Sequence, residues 1–137
     1  MKSILLFIIL FPAFTKAQKA EDTKIIITLN DNVDLYKKVK IALVNTDFIV
    51  KDNYNLDTLT TYSREFTSFP GFCVTSAVLR NNTVTISGFY GLKRIDEFGY
   101  TQSNKNYQKI IYYRGSKSWE LLMQVAEKIG GQITFSK

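Results

Sequence analysis

Phe72-Cys73-Val74-Thr75-Ser76-Ala77-Val78-Leu79-Arg80, then Asn81-Asn82, then Thr83-Val84-Thr85-Ile86-Ser87-Gly88-Phe89-Tyr90, is the stretch on which the fold turns. β-Branched and aromatic residues dominate both arms, and these suit a pleated, half-buried backbone. The two asparagines between them tolerate the positive φ that a tight hairpin turn demands. In the second arm Val84, Ile86 and Tyr90 fall on one face while Thr83, Thr85 and Ser87 fall on the other. That alternation predicts a sheet covered on one side and wet on the other.

Upstream of the hairpin, Lys24-Ile25-Ile26-Ile27-Thr28-Leu29 reads as a strand. Asn32 is the expected cap of a helix whose apolar residues Leu35, Tyr36, Val39, Ala42 and Leu43 recur at spacings of three and four, ending near Asn45. Phe48-Ile49-Val50 reads as a short strand, residues 52–55 as a turn and residues 57–66 as one longer threonine-rich strand, before Pro70-Gly71 punctuates the chain. Downstream, residues 91–107 form a long polar segment with Asp96-Glu97 and Gly99, expected as a loop. Residues 107–114 look extended, so one of Tyr112 and Tyr113 faces inward and the other out. A second helix follows, with Ser118 as its expected cap, Leu122, Val125, Ala126 and Ile129 as its apolar set, Leu121 and Trp119 alongside, and Gly130-Gly131 as its stop. Ile133-Thr134-Phe135 adds a last short strand. This order predicts an α+β fold, a single antiparallel sheet of about five or six strands with two helices packed on one face.

The first 17 residues read as a cleavable export signal. Met1-Lys2-Ser3 gives a basic start, residues 4–11 an apolar run too short to span a bilayer, and Thr15-Lys16-Ala17 the small residues a signal peptidase requires. Cleavage is expected between Ala17 and Gln18, followed by a flexible lead-in at 18–23 and one domain at 24–137. Removing 17 of the 137 residues leaves 120, enough for a single hydrophobic core. The formal charge falls from +6 to +4 with the loss of Lys2 and Lys16. Basic residues are scattered along the chain without a block that would concentrate a field, which argues against nucleic acid as a partner. No later apolar stretch approaches the length of a membrane helix, so no span is expected after cleavage. Cys73 is the sole cysteine and admits no internal disulfide; between Phe72 and Val74 it reads as a buried small apolar residue.

Residues 41–66 combine a helix end, Asp47-Phe48-Ile49-Val50, a turn and the Leu59-Thr60-Thr61 strand. This pattern resembles that of small exported sheet-and-helix modules of bacterial envelopes, including the helix-grip type, and the Ala17-Gln18 junction is similar to export signals common in Bacteroidota. The resemblance covers about a fifth of the chain and carries no invariant chemical motif. It implies an accessory or interaction domain in the periplasm or outside the cell.

The chain contains no histidine. That removes the commonest general base, the Ser-His and Cys-His nucleophile systems and the usual zinc ligand sets. Cys73 has no adjacent cation to favour a thiolate. Asp96 and Glu97 are adjacent, whereas carboxylates that cleave glycosides converge across a cleft, so solvated loop residues are the simpler reading. Asp31, Asn32 and Asp34 lack the glycine and distant glutamate of an EF-hand and suit a helix cap better. Gly88, Gly91 and Gly99 are spaced wrongly for a phosphate-binding loop. Asn81-Asn82-Thr83 matches a glycosylation acceptor, but the hairpin turn explains those residues. No catalytic residue, metal ligand or cofactor is therefore expected.

What remains is a mixture of aromatic and basic residues around residues 91–107 and the strand after them. Lys93, Arg94, Tyr100, Tyr107, Arg114 and Lys117 are the candidate binding residues, with Tyr90, Tyr112, Tyr113 and Trp119 divided between core and surface. The expectation is an exported, non-enzymatic interaction domain that holds a protein partner in the envelope. The alternatives are a binding module for an acidic glycan or other envelope polyanion, a small hydrolase using Asp96 or Glu97, and a toxin-immunity protein.

Overall fold

The computed structural model describes residues 17–30, 34–51, 55–68, 70–95, 97–99, 101–103 and 107–137, with the backbone alone at 94, 95 and 101–103. In chain order the elements are β1 (Lys24–Thr28), α1 (Leu35–Val44), β2 (Thr58–Thr60), β3 (Arg64–Glu65), β4 (Gly71–Arg80), β5 (Thr83–Ile95), β6 (Thr101–Ser103), β7 (Gln108–Lys109), α2 (Lys117–Ile129) and β8 (Gln132–Ser136). All strand pairs are antiparallel, in the order β2-β4-β5-β1-β8, with β3 on β4 and with β6 and β7 on β5. The α+β architecture stands as expected, with eight short and long strands among the described residues in place of five or six.

The β4–β5 hairpin runs in unbroken register from Arg80↔Thr83 to Gly71↔Leu92. Asn81 takes the turn at φ 52°, the left-handed region that asparagine tolerates better than most residues. Asn82 then fastens the turn to β1, its amide Nδ2 donating to the Leu29 carbonyl at 3.0 Å while Leu29 N–H donates to the Asn82 carbonyl at 2.9 Å. The inner face of the sheet carries Ile25, Ile27, Cys73, Ala77, Val84 and Ile86, all at 0% exposure, beneath Val39, Ala42 and Leu43 of α1 and Leu122, Val125, Ala126 and Ile129 of α2. Each large aliphatic chain so enclosed contributes about 1.5–3 kcal/mol relative to exposure, and that is the main source of stability in a chain without a disulfide.

Both helices begin on hydrogen-bonding side chains, though not the expected ones. Asp34 caps α1, accepting from Lys37 N–H at 3.1 Å, and Asn32 lies outside the described residues. Ser116 caps α2, accepting from Trp119 N–H at 3.2 Å, while Ser118 is buried in the first turn. Gly130, at φ 75°, stops α2 where the sequence places the stop.

Three other expectations are corrected. Residues 57–66 are not one strand: between Thr60↔Ser76 and Arg64↔Cys73 the chain advances four residues on one side and three on the other. The extra residue is a β-bulge, and Thr61 anchors it, its hydroxyl accepting from Thr75 N–H at 3.0 Å. Phe48-Ile49-Val50 contributes one bridge, Val50↔Thr61, instead of a strand. The segment expected as a long loop begins as strand, because β5 continues to Ile95 and folds back onto β6 through Lys93↔Ser103, Arg94↔Gln102 and Ile95↔Thr101.

Residues 18–23 make a turn held at both sides. Asp22 accepts from Lys19 N–H at 2.7 Å, Tyr112 N–H donates to the Asp22 carbonyl at 2.8 Å and Thr23 N–H to the Ser136 carbonyl at 2.8 Å. Glu21 pairs with Lys137 at 2.9 Å. Among the described residues no helix is long and apolar enough to cross a membrane.

Candidate interaction platform on the open sheet face

The uncovered face of the sheet changes character along the strands. Over most of its area it presents Thr58, Thr60, Ser76, Val78, Thr83, Thr85 and Ser87, all partly exposed and uncharged. Toward Gly71 and Leu92 the same face becomes aromatic. Phe72 belongs to the open face by its alternation with buried Cys73, yet it is only 8% exposed. Its ring lies on β5 over Gly91, where an added Cβ would stand 2.4 Å from Cζ and 2.7 Å from Cε2. A glycine in a strand interior here marks close approach by a side chain from the neighbouring strand. Tyr107 meets Phe72 edge to face, with ring centroids 5.1 Å apart and planes at 72°.

Beside this pair, Val74 and Phe89 are register partners, and with Tyr107 and Lys51 they line a hollow of about 410 Å³. Phe89 is 46% exposed and Tyr107 49%. Lys51 sets its ammonium 5.2 Å from the ring of Tyr62, itself an exposed aromatic on the bulge. Lys109, also exposed, is the other register partner of Phe89. The far end is closed by an ion pair between Lys93 and Glu65. Rigid strands thus display aromatic area with cations at its margin, and aromatic side chains supply contact area at low cost in lost rotamer freedom.

The six residues singled out from the sequence do not form one cluster. Tyr107 is part of the platform, and Lys93 borders it already paired. Arg94 contributes its backbone to the β5–β6 pairing, and Tyr100 lies outside the described residues. Arg114 and Lys117 sit at the start of α2, where Lys117 pairs with Glu120 at 2.9 Å and Arg114 lines a separate groove with Tyr113, Trp119 and Gln124. Of the tyrosine pair, Tyr113 is 54% exposed, while Tyr112 packs against buried Trp119 at 5.6 Å. Tyr90 also packs on the core and donates its hydroxyl to Gln108 Oε1 at 2.7 Å.

Phe72, Val74, Phe89, Lys51 and Tyr62 are the platform residues that sequence reasoning missed. One signal was present: Phe89 shares the parity of Thr83, Thr85 and Ser87, so a large aromatic stands on the face expected to be wet.

Cys73 is buried, and burial pushes its thiol up to about 11, against smaller lowering effects from the Thr75 hydroxyl and the Arg64 charge. Near neutral pH it is a thiol and no nucleophile. Glu97 is exposed, and Asp96 lies outside the described residues. Among the described residues no three histidine, cysteine or acidic side chains stand close enough to hold a metal ion. The chain matches no family model, no curated relative and no solved structure.

Proposed function

We propose that the chain is an exported, non-enzymatic interaction domain of a bacterial envelope that docks a protein partner on the platform formed by Phe72, Val74, Phe89 and Tyr107. The observation that carries the proposal is the pairing of Phe89 and Tyr107 around one hollow, each about half exposed at the end of a face that elsewhere carries mostly threonine and serine. Exposed aromatic area is typical of binding hot spots. The neighbouring Lys51 and Lys109 favour a partner with an apolar centre and acidic residues around it.

The test is crosslinking of the tagged protein in its own cells, comparing the unaltered chain with a Phe89→Ala, Tyr107→Ala double variant that is shown to fold. One dominant envelope protein, captured by the first and lost from the second, is the expected result. Identical partners for both chains would overturn the proposal.

A second reading draws on the same residues. Lys51 and Lys109 beside aromatic rings also suit an acidic glycan, with stacking on Phe89 or Tyr107 and ionic contact at the margin. Such binding must weaken steeply as salt rises, because both cations reach solvent. Affinity for acidic polysaccharides that is unchanged between low and high salt rejects this reading.

A further inference from the structure

We propose that the outer edge of β8 pairs with the same edge of a second copy of this chain, antiparallel and about a two-fold axis at Thr134.

The direction of the backbone groups follows from one hydrogen bond. Leu29 N–H and carbonyl both engage Asn82, the N–H donating at 2.9 Å to its carbonyl and the carbonyl accepting from its side chain. With the β1–β5 register of Ile25↔Ile86 and Ile27↔Val84, the odd-numbered residues of β1 aim their backbone groups at β5. Lys24, Ile26 and Thr28 therefore aim at β8, where their partners are Ser136, Thr134 and Gln132. Ile133 and Phe135 are left with N–H and carbonyl groups directed away from the sheet, and among the described residues nothing meets them.

Natural edge strands are commonly protected by proline, by charge, by a bulge or by a covering element. β8 has none within it: Gln132-Ile133-Thr134-Phe135-Ser136 contains no proline and no charged residue, and its register with β1 is unbroken. Its polarity also reads the same from either end. With the axis at Thr134, Ile133 faces the partner's Phe135 and Gln132 faces the partner's Ser136, so apolar meets apolar on the inner face and polar meets polar on the outer. Each Ile133–Phe135 pair exchanges two backbone hydrogen bonds, giving four across the junction. A two-fold junction requires this kind of self-complementarity. A groove of about 500 Å³ runs beside the same edge, lined by Tyr112, Met123, Ile133 and Phe135 together with Gln18 and Glu127, and the added strand would cover its apolar members. A neutral strand is also where two copies of a basic chain meet with least repulsion.

The test is a register-specific crosslink in the purified protein. Thr134 lies on the open face, and in the proposed junction it stands opposite itself in a non-hydrogen-bonded pair, with Cα atoms about 4.5 Å apart, within the range a disulfide spans. Thr134→Cys is expected to give a covalent dimer under mild oxidation, while Gln132→Cys, displaced by four residues and about 13 Å from its own copy, is expected to remain uncrosslinked. Sedimentation of the unaltered chain should show twice the chain mass at high concentration. Ile133→Pro, which removes an outward N–H, should return it to monomer with its circular dichroism retained. A monomer at every concentration up to the solubility limit overturns the proposal, as does a crosslink at Gln132→Cys in place of Thr134→Cys. So does a dimer that survives Ile133→Pro.

Discussion

Phe72 lies flat across Gly91, and the absence of a Cβ at Gly91 is what lets the ring lie there: the nearest ring carbon would be 2.4 Å from an added methyl. The contact converts the end of a wet sheet face into an aromatic surface, since Tyr107 in turn rests on Phe72. The chain of contact runs from a missing side chain to the placement of the exposed tyrosine.

Gly91→Ala should therefore displace Phe72 and with it Tyr107. A methyl group forced into an occupied site costs typically about 1–3 kcal/mol. The loss is measurable as a lower urea midpoint with an unchanged slope, together with a weakened near-ultraviolet dichroism from the aromatic pair.

The Phe72–Tyr107 contact can be isolated by a double-mutant cycle with Phe72→Leu and Tyr107→Leu. Edge-to-face pairs contribute about 0.5–1.5 kcal/mol beyond area burial, and the coupling from denaturant unfolding should fall in that interval. A coupling near zero would mean that Tyr107 is placed by its backbone, just ahead of β7, alone.

Cys73 predicts a pH dependence of defined sign. Its thiol is pushed up to about 11 from an ordinary value of 9.0, so in alkali the unfolded chain releases this proton before the folded one does. Stability from this group is complete below pH 9 and is lost between pH 9 and 11, to a limit of about 2–3 kcal/mol at 1.36 kcal/mol for each unit. Cys73→Ala should flatten that part of the stability curve. In the native protein the thiol should resist a maleimide at pH 7 and react after denaturation.

Trp119 is 2% exposed, and its indole N–H has no partner among the described residues. An unsatisfied buried donor costs about 1–3 kcal/mol, so Trp119→Phe removes a penalty along with some packing against Tyr112 and Phe135. Its net effect is expected within about 1 kcal/mol, whereas Trp119→Ala should cost about 3–5 kcal/mol. Thermal unfolding of both variants followed by circular dichroism checks the contrast.

The fold was legible where local chemistry and tertiary demand agree. Asn81-Asn82 between two β-rich arms specifies a turn, and the spacing of Leu122, Val125, Ala126 and Ile129 specifies the buried stripe of α2. The cap of α2 was misplaced by two residues because Ser116 and Ser118 are equally good acceptors, and the choice between them depends on where the chain enters the helix. The bulge after Thr60 was invisible because threonine suits an extended backbone on either side of it, and the extra residue shows only in pairing with β4. The start of residues 91–107 looked like loop because its polar composition gives no alternation, and its strand character shows only in the pairing of β5 with β6. The platform was hardest to read. Lys51, Val74, Phe89 and Tyr107 come from four separate segments, and only the sheet register makes them neighbours.

The position of β1 between β5 and β8 has a temporal consequence. Ile25 and Ile27 are enclosed only when Ile133 and Phe135 lie beside them, so residues near the start of the domain wait for residues more than a hundred positions later. High contact order of this kind slows folding, because the entropy of closing the long loop is lost before the pairing returns it. During synthesis the sheet cannot be completed until the last strand has left the ribosome. On the proposed export route, that delay holds the chain open through the interval in which it must be threaded across a membrane.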